Sequence, residues 1–73
     1  RVNSIMPGMI NTSLIKNRSA FSSEQLANDI KKYPLGRYGE TDDISSGVIF
    51  LLSAASKWIT GQTLVIDGGR TLL

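Results

Sequence analysis

The sequence predicts an α/β fold in which two parallel strands are joined by a helical crossover. Leu64, Val65 and Ile66 form a continuous apolar run, which is typical of a strand covered on both faces. A short strand is predicted at residues 2–5, and an amphipathic helix at residues 42–55 lies between the two strands. One good helix covers only one face of a parallel sheet. We therefore expect the chain to form one edge of a larger doubly wound sheet.

The composition excludes several kinds of chemistry. The 73 residues allow one small domain at most. The sequence contains neither cysteine nor histidine, which removes disulfides, thiolate and Ser-His catalysis and the usual zinc sites. The net charge of +2 is spread along the chain without a basic stripe, so no nucleic-acid partner is expected. The apolar runs fall far short of the ~20 residues that span a bilayer, so no membrane partner is expected either.

The first residues of the chain and its lack of cysteine bear on processing and location. It opens with Arg-Val-Asn and not with Met and a basic region, so no signal peptide is predicted. The initial arginine suggests an excised or incomplete chain, and the lack of cysteine suits a cytoplasmic location.

The first strand leads into a glycine-containing loop. Pro7 is expected to end the strand, since proline has no N–H for the ladder. Residues 7–12 then lie at the carboxyl end of a strand, which is where open α/β sheets bind ligands. Gly8 allows close approach to its backbone, and Thr12 offers a hydroxyl. The alternative is a tight turn in which Thr12 or the serine after it caps the next helix, and the local evidence favours the turn.

Two short helical pieces are predicted next. Residues 13–18 are possibly helical, and a second helix begins at Ser22 or Ser23 and runs to Tyr33, where Pro34 stops it. Its apolar stripe is thin, so we expect this region to pack lightly and to move as a lid. The alternative is an ordinary helical hairpin on the surface.

The main helix follows a loop at residues 34–40. Thr41 is predicted to be the N-cap, and Asp42 and Asp43 are explained by the positive end of the helix rather than by acid–base chemistry. Arg37 could pair with either aspartate or bind a partner, and the ion pair is the favoured interpretation. The helix is apolar on more than one side and carries small residues around Gly47, which predicts two packing partners.

Three sequence blocks together carry a resemblance to a known family. They are Val-Asn and Pro-Gly-Met-Ile-Asn-Thr within 2–12, Pro-Leu-Gly-Arg-Tyr-Gly-Glu and Asp-Asp-Ile within 34–44, and Trp-Ile-Thr-Gly-Gln-Thr-Leu-Val-Ile-Asp-Gly-Gly at 58–69. In this order and spacing they resemble the carboxyl-terminal part of a short-chain dehydrogenase/reductase of the 3-oxoacyl-carrier-protein reductase-like branch. The resemblance implies the last two strands of a Rossmann-like doubly wound parallel sheet. Residues 1–73 would then be the carboxyl-terminal segment of a single NAD(P)-binding domain, with substrate-lobe helices at 13–33.

The resemblance also implies a function. The complete enzyme would transfer hydride between NAD or NADP and a small-molecule carbonyl or alcohol substrate. In the family, the backbone of the residue matching Ile10 meets the nicotinamide carboxamide. The residue matching Thr12 meets the carboxamide through its hydroxyl or contacts the phosphates. Pro7 and Gly8 would line the ring and the ribose. Candidate substrate contacts are Met9, Leu14 and Phe21.

No catalytic residue and no metal ligand is expected in this chain. The family's catalytic serine, and its tyrosine and lysine four residues apart, precede the Pro-Gly loop. Tyr33 and Tyr38 do not replace that pair, because the residues four positions later are Arg37 and Asp42. The chain alone is therefore expected to be inactive.

The expected partners are the remainder of the dehydrogenase domain and further copies of the chain. A homo-oligomer, by resemblance a homotetramer, would form through the helix at 41–55 and the strand at 63–66. The alternative is a non-enzymatic interaction or dimerisation module built from that helix and strand.

Overall fold

A computed structural model describes residues 1–12 and 22–72 of the protein. These residues contain two strands and two helices, in the order β1, α1, α2, β2. Their bounds are Ser4–Pro7, Ser23–Ile30, Thr41–Leu52 and Thr63–Ile66, with 3-10 turns at Ala54–Ser56 and Arg70–Leu72. In the part of the chain that is described, neither helix has the length and apolar character needed to cross a bilayer.

The two strands pair in parallel, as predicted, with α2 in the connection between them. Ser4 lies opposite Thr63 and Pro7 opposite Ile66. The first strand lies two residues later than the predicted 2–5, and Pro7 is its last residue rather than its terminator. The Ser4 N–H donates to the carbonyl of Gln62, just before β2, and the Gly8 N–H donates to the carbonyl of Ile66, both at 2.9 Å. Because donors to one neighbour alternate along a strand, the Pro7 nitrogen faces the other edge, where this pairing needs no N–H.

Helix α2 covers one face of the sheet. Gly47 marks the closest approach: an added Cβ would lie 2.4 Å from Cδ1 of Ile66 and 3.6 Å from Cδ2 of Leu64. The opposite face carries Met6 and Val65, which remain 45% and 40% exposed. Within residues 1–12 and 22–72, β2 is therefore covered on one face only, whereas the sequence predicts cover on both.

Helix α1 begins as one of the two predicted alternatives. The Ser22 hydroxyl accepts from the Gln25 N–H, and the Gln25 side chain accepts from the Ser22 N–H, which forms a reciprocal capping box. The helix ends at Ile30, earlier than the predicted Tyr33. The N–H of Tyr33 bonds the carbonyl three residues back, so the chain tightens into a turn before Pro34.

Helix α2 differs from its prediction at both ends. Its N-cap is Glu40 and not Thr41, because the Asp43 carboxylate accepts from the Glu40 N–H at 2.7 Å. It ends at Leu52 instead of residue 55. Ser53 has extended backbone, and its hydroxyl accepts from the Ala55 N–H at 3.3 Å, which starts a separate 3-10 turn.

The first residues of the chain are tied to the segment that precedes β2. The Asn3 amide donates to the Ile59 carbonyl at 3.1 Å and accepts from the Gln62 N–H at 3.0 Å. The Arg1 guanidinium donates to the carbonyls of Ile59 and Leu51, both at 2.9 Å. These bonds fix the entry of β1 beside the entry of β2, and with it the position of the loops at the far end of both strands.

Candidate functional site

The candidate site lies at the carboxyl ends of β1 and β2. Gly8 leaves the sheet in direct contact with the residue after β2, and a Cβ at Gly8 would stand 2.9 Å from both Cα and Cβ of Asp67. The Asp67 carboxylate in turn accepts from the N–H groups of Gly69 and Thr71, each at 3.0 Å. The pKa of Asp67 is lowered, first by a hydrogen bond with the Thr71 side chain and then by these N–H groups. Asp67 thus organises the turn against which the Gly8 loop rests.

The next three residues are held by the loop at 34–40. Ile10 and Gly39 form an isolated parallel bridge. The Gly39 N–H donates to the Met9 carbonyl at 3.0 Å, and the Asn11 N–H donates to the Gly39 carbonyl at 2.8 Å. The Met9 C=O and the Asn11 N–H, on either side of Ile10, both face Gly39. The N–H and C=O of Ile10 itself therefore point away from Gly39.

The outward-facing backbone of Ile10 is only partly used by the protein. Its carbonyl accepts from the Thr12 N–H at 2.8 Å. Among residues 1–12 and 22–72, no group of the protein accepts from its N–H. The arrangement can therefore donate one hydrogen bond to a bound molecule and accept another.

A cavity of about 130 Å³ lies between this loop, the 34–40 loop and the turn after β2. Its polar lining comes from Arg37, Asp43 and Asp67. Arg37 donates from Nη1 to Oδ2 of Asp43 at 2.8 Å and from Nη2 to Oδ1 at 3.3 Å. The prediction of an ion pair is confirmed, with Asp43 as the partner.

The ion pair changes the acidity of both side chains. The hydrogen bond from Arg37, followed by the Glu40 N–H, lowers the pKa of Asp43 to about 2. The same hydrogen bond raises the pKa of Arg37 above its usual range. Both groups therefore stay charged across the physiological range.

Two tyrosines, one just before the 34–40 loop and one within it, are buried. Tyr33 and Tyr38 are 8% and 7% exposed, and their rings meet edge to face with centroids 5.4 Å apart. The Tyr38 hydroxyl donates to the carboxylate of Asp29 on α1. Burial, with the Asp29 carboxylate second, raises the pKa of Tyr38 to about 12. A tyrosine that acts as a general base near neutral pH needs the opposite shift.

Replacement of Tyr38 by phenylalanine is expected to lower the free energy of unfolding by about 1–2 kcal/mol, because a hydrogen bond to a charged group is lost. The bond holds Tyr38 protonated in the folded state, so its contribution is complete below pH ~10. It is expected to disappear between pH 10 and the folded pKa of about 12. Urea unfolding of wild type and Tyr38→Phe across this range measures the difference. Tyr33→Phe, which keeps the ring pair, is the matched control, and a difference that does not change with pH would contradict the assignment.

The structure brings five of the predicted site residues together. Pro7, Gly8, Met9, Ile10 and Thr12 follow one another along the loop at the sheet edge. The predicted contacts Leu14 and Phe21 lie outside the described residues. Within the described part of the chain, no group of three His, Cys, Asp or Glu side chains is placed to hold a metal ion.

Sequence reasoning missed the residues that fix the loop. These residues are Gly39, Asn11 and Glu40. The Asn11 amide donates to the Glu40 carboxylate at 3.1 Å, which adds a side-chain bond between the two loops. Gly39 is the signal that points there, since a glycine allows another backbone to come close.

Comparison with known proteins places the chain in a family. The family model described as enoyl-(acyl carrier protein) reductase matches residues 1–71. The human 3-oxoacyl-[acyl-carrier-protein] reductase is 42% identical over 73 residues, which cover 100% of this chain and 27% of that protein. The chain spans 25% to 30% of the length of this and similar curated relatives.

Solved structures agree with the family model. A short-chain type dehydrogenase/reductase from Mycobacterium ulcerans superposes with a TM-score of 0.86 at 42% identity, covering 99% of this chain and 26% of that one. A putative 2-deoxy-d-gluconate 3-dehydrogenase from Agrobacterium tumefaciens with bound NADP gives 0.87 at 33% identity, covering 100% and 29%. A 4-hydroxyisoleucine dehydrogenase mutant complexed with NADH and succinate gives 0.84 at 42% identity, covering 100% and 30%. The chain belongs to the short-chain dehydrogenase/reductase family.

Proposed function

We propose that this chain is the carboxyl-terminal part of the single nicotinamide-binding domain of an NAD(P)-dependent oxidoreductase. The observation that carries the proposal is the backbone of Ile10. It is held from one side by Gly39, and its own N–H and C=O face outward at the carboxyl ends of the strands. Ligands of open α/β sheets bind at the carboxyl ends of the strands.

The residues present fit the nicotinamide end of such a cofactor. A carboxamide offers one acceptor and two donors, which complement the N–H and the C=O of Ile10. Gly8 has no side chain and Pro7 carries only a compact, rigid ring. The start of the loop therefore leaves room for the nicotinamide ring and the ribose. Thr12 is exposed and carries a further hydroxyl for the cofactor. When bound, the nicotinamide would accept or deliver hydride, while these residues orient it.

The substrate proposed for the complete enzyme is a small molecule with a carbonyl or alcohol group. Relatives with NADP or NADH bound carry the names of dehydrogenases, which supports this class. Met9, beside Ile10 on the loop, is the described residue proposed to contact it. Leu14 and Phe21 within the 13–33 substrate lobe are the other proposed contacts.

Open apolar surfaces support the proposal that the rest of the domain packs here. On α2, Val48 and Ile49 are 39% and 66% exposed and line a groove that reaches Ile10 and Thr12. The sheet face with Met6 and Val65 is a second open surface. We propose that the groove receives another helix of the same domain. A further copy of the protein is proposed to contact the remaining surface of α2 and β2.

The full-length protein, meaning the product of the complete reading frame, provides the test. The sequence before Arg1 is expected to encode a glycine-rich strand–turn–helix and a Tyr-x-x-x-Lys. The purified product is expected to bind NADH or NADPH, followed through cofactor fluorescence, and to turn over a carbonyl or alcohol substrate. A product that lacks both motifs, binds neither nucleotide and dimerises would overturn the proposal in favour of an interaction module.

Within the full-length protein, Ile10→Pro is expected to weaken the binding of NADH or NADPH at least tenfold, because it removes the outward N–H. Proline is tolerated at an edge where the N–H is not part of the ladder. The affinity for ADP-ribose, or its 2′-phosphate for an NADP enzyme, is expected to stay within twofold. Ile10→Val keeps the N–H and is the matched control. Equal losses for both ligands, or no loss for either, would sink the proposed contact.

A further inference from the structure

We infer that Arg37 and Asp43 are positioning residues for the outward-facing backbone of Ile10, acting through the two peptide groups that flank Gly39. The inference rests on the proposed function, since it assigns the ion pair to the same cofactor contact. Neither residue is proposed to touch the cofactor.

Asp43 provides the fixed end of the arrangement. It lies in the first turn of α2, whose following turns pack on the sheet. Its carboxylate accepts from two directions: Oδ2 from the Glu40 N–H at 2.7 Å and from Arg37 at 2.8 Å, and Oδ1 from Arg37 at 3.3 Å. The same Nη1 of Arg37 also donates to the carbonyl of Tyr38 at 2.9 Å.

Each peptide group beside Gly39 is thus held at one end by the ion pair. The first peptide joins Tyr38 to Gly39: Arg37 holds its C=O, and its N–H donates to the Met9 carbonyl. The second joins Gly39 to Glu40: Asp43 holds its N–H, and its C=O accepts from the Asn11 N–H.

A peptide group is planar, so fixing one end sets the direction of the other. The ion pair therefore sets the direction of both hydrogen bonds that hold the backbone on either side of Ile10. A shift of either peptide would rotate Met9 or Asn11, and with them the N–H and C=O of Ile10 between them.

Solvent exposure separates this role from a general contribution to stability. The side chains of Arg37 and Asp43 are 55% and 36% exposed. Exposed ion pairs contribute little to the free energy of folding, because water screens them. The bonds of this pair to two specific peptide groups are what distinguish it from an ordinary surface pair.

The test uses Arg37→Met and Asp43→Ala in the full-length protein. Both variants are expected to bind NADH or NADPH about five- to tenfold more weakly, the effect of one misaligned hydrogen bond. The affinity for ADP-ribose, or its 2′-phosphate, is expected to stay within twofold, because ADP-ribose lacks the carboxamide that Ile10 is proposed to bind. Arg37→Lys keeps the charge without the forked geometry and is expected to fall between wild type and Arg37→Met.

Asp42→Asn is the matched control. Asp42 is the neighbouring carboxylate in the first turn of α2, and its removal changes the charge at the helix end equally without touching Arg37. We expect wild-type affinities for both ligands. Thermal unfolding of Arg37→Met and Asp42→Asn is expected to stay close to that of wild type. Asp43→Ala also removes the cap at the start of α2 and is expected to lower the unfolding temperature modestly.

The outcomes separate this inference from the proposed function. If Ile10→Pro loses nicotinamide binding selectively while Arg37→Met and Asp43→Ala do not, the positioning role is overturned and the proposed contact stands. If Arg37→Met and Asp43→Ala weaken both ligands equally, the pair acts on the whole domain and the inference is also overturned. If Ile10→Pro itself has no selective effect, the proposed contact is lost, and the inference is lost with it.

Discussion

Gly47→Val is expected to lower the free energy of unfolding of the full-length protein by about 2–3 kcal/mol, the typical cost of overpacking a close interface. A Cβ at this position would stand 2.4 Å from Cδ1 of Ile66, and valine adds two further carbons to that contact. Helix α2 would have to move away from the sheet, or Ile66 would have to leave its rotamer. The gain in helix propensity over glycine is well under 1 kcal/mol and does not offset this.

Urea unfolding gives the measurement, with the midpoint expected to fall at an unchanged slope. Gly47→Ala is expected to be nearly neutral, since the single Cβ meets only the end of a side chain and alanine gains about 1 kcal/mol of helix propensity. Ile66→Val removes Cδ1 and should recover part of the loss when it is combined with Gly47→Val. Strictly additive effects of the two substitutions would show that this contact is not the cause.

Gly8→Ala is expected to reduce kcat/KM of the full-length protein, in its proposed oxidoreductase reaction, by about 10- to 100-fold, in line with the effect of a displacement approaching 1 Å in a positioned site. The added Cβ would meet Cα and Cβ of Asp67 at 2.9 Å, and neither atom can move away unless the main chain moves. The loop must therefore lift off the turn after β2 and carry Ile10 with it. A loss of about 1–3 kcal/mol in unfolding free energy should accompany the change.

Gly36→Ala is the contrasting substitution. Gly36 lies in the left-handed region at φ 77°, and an added Cβ there would meet nothing within 4 Å. It should cost about 1 kcal/mol of backbone strain and leave kcat/KM unchanged. Steady-state kinetics beside urea unfolding distinguish the two variants. Gly8→Ala with wild-type kinetics would mean that the loop does not position the cofactor.

The parts of the fold that were predictable are those with a local sequence signal. The apolar run at Leu64 gave the second strand, and the parallel pairing followed from the helical segments between the strands. Ser22 was one of two predicted caps because serine three residues before glutamine has a known local geometry. Element ends were less accurate: Thr41 is a good cap residue, but Asp43 caps the helix through the Glu40 backbone instead.

The position of the candidate site was predictable from the sequence, but the contacts that hold it together were not. Pro7, Gly8, Met9, Ile10 and Thr12 were located by resemblance, and their assembly at one sheet edge follows from the strand that precedes them. The pairing of Ile10 with Gly39 joins segments 29 residues apart, and no periodicity in either segment marks it. No sequence pattern predicts the hydrogen bond from Tyr38 to Asp29 either, because a loop sequence does not show whether its tyrosine is buried or exposed. The predictions for Leu14 and Phe21 remain predictions.

The bonds made by Arg1 and by Asn3 and Ser4 have a consequence for the order of folding. These residues bond to partners 50 to 59 positions later in the chain. At translation rates of about 5–20 residues per second, β1 waits about 3 to 12 s for its partner to be synthesised. Helix α2 needs only local contacts and can form within that interval, whereas the strand pair must close a loop of nearly the whole sequence. The short length of β1 and the missing N–H of Pro7 make the waiting strand a poor template for association with another nascent chain.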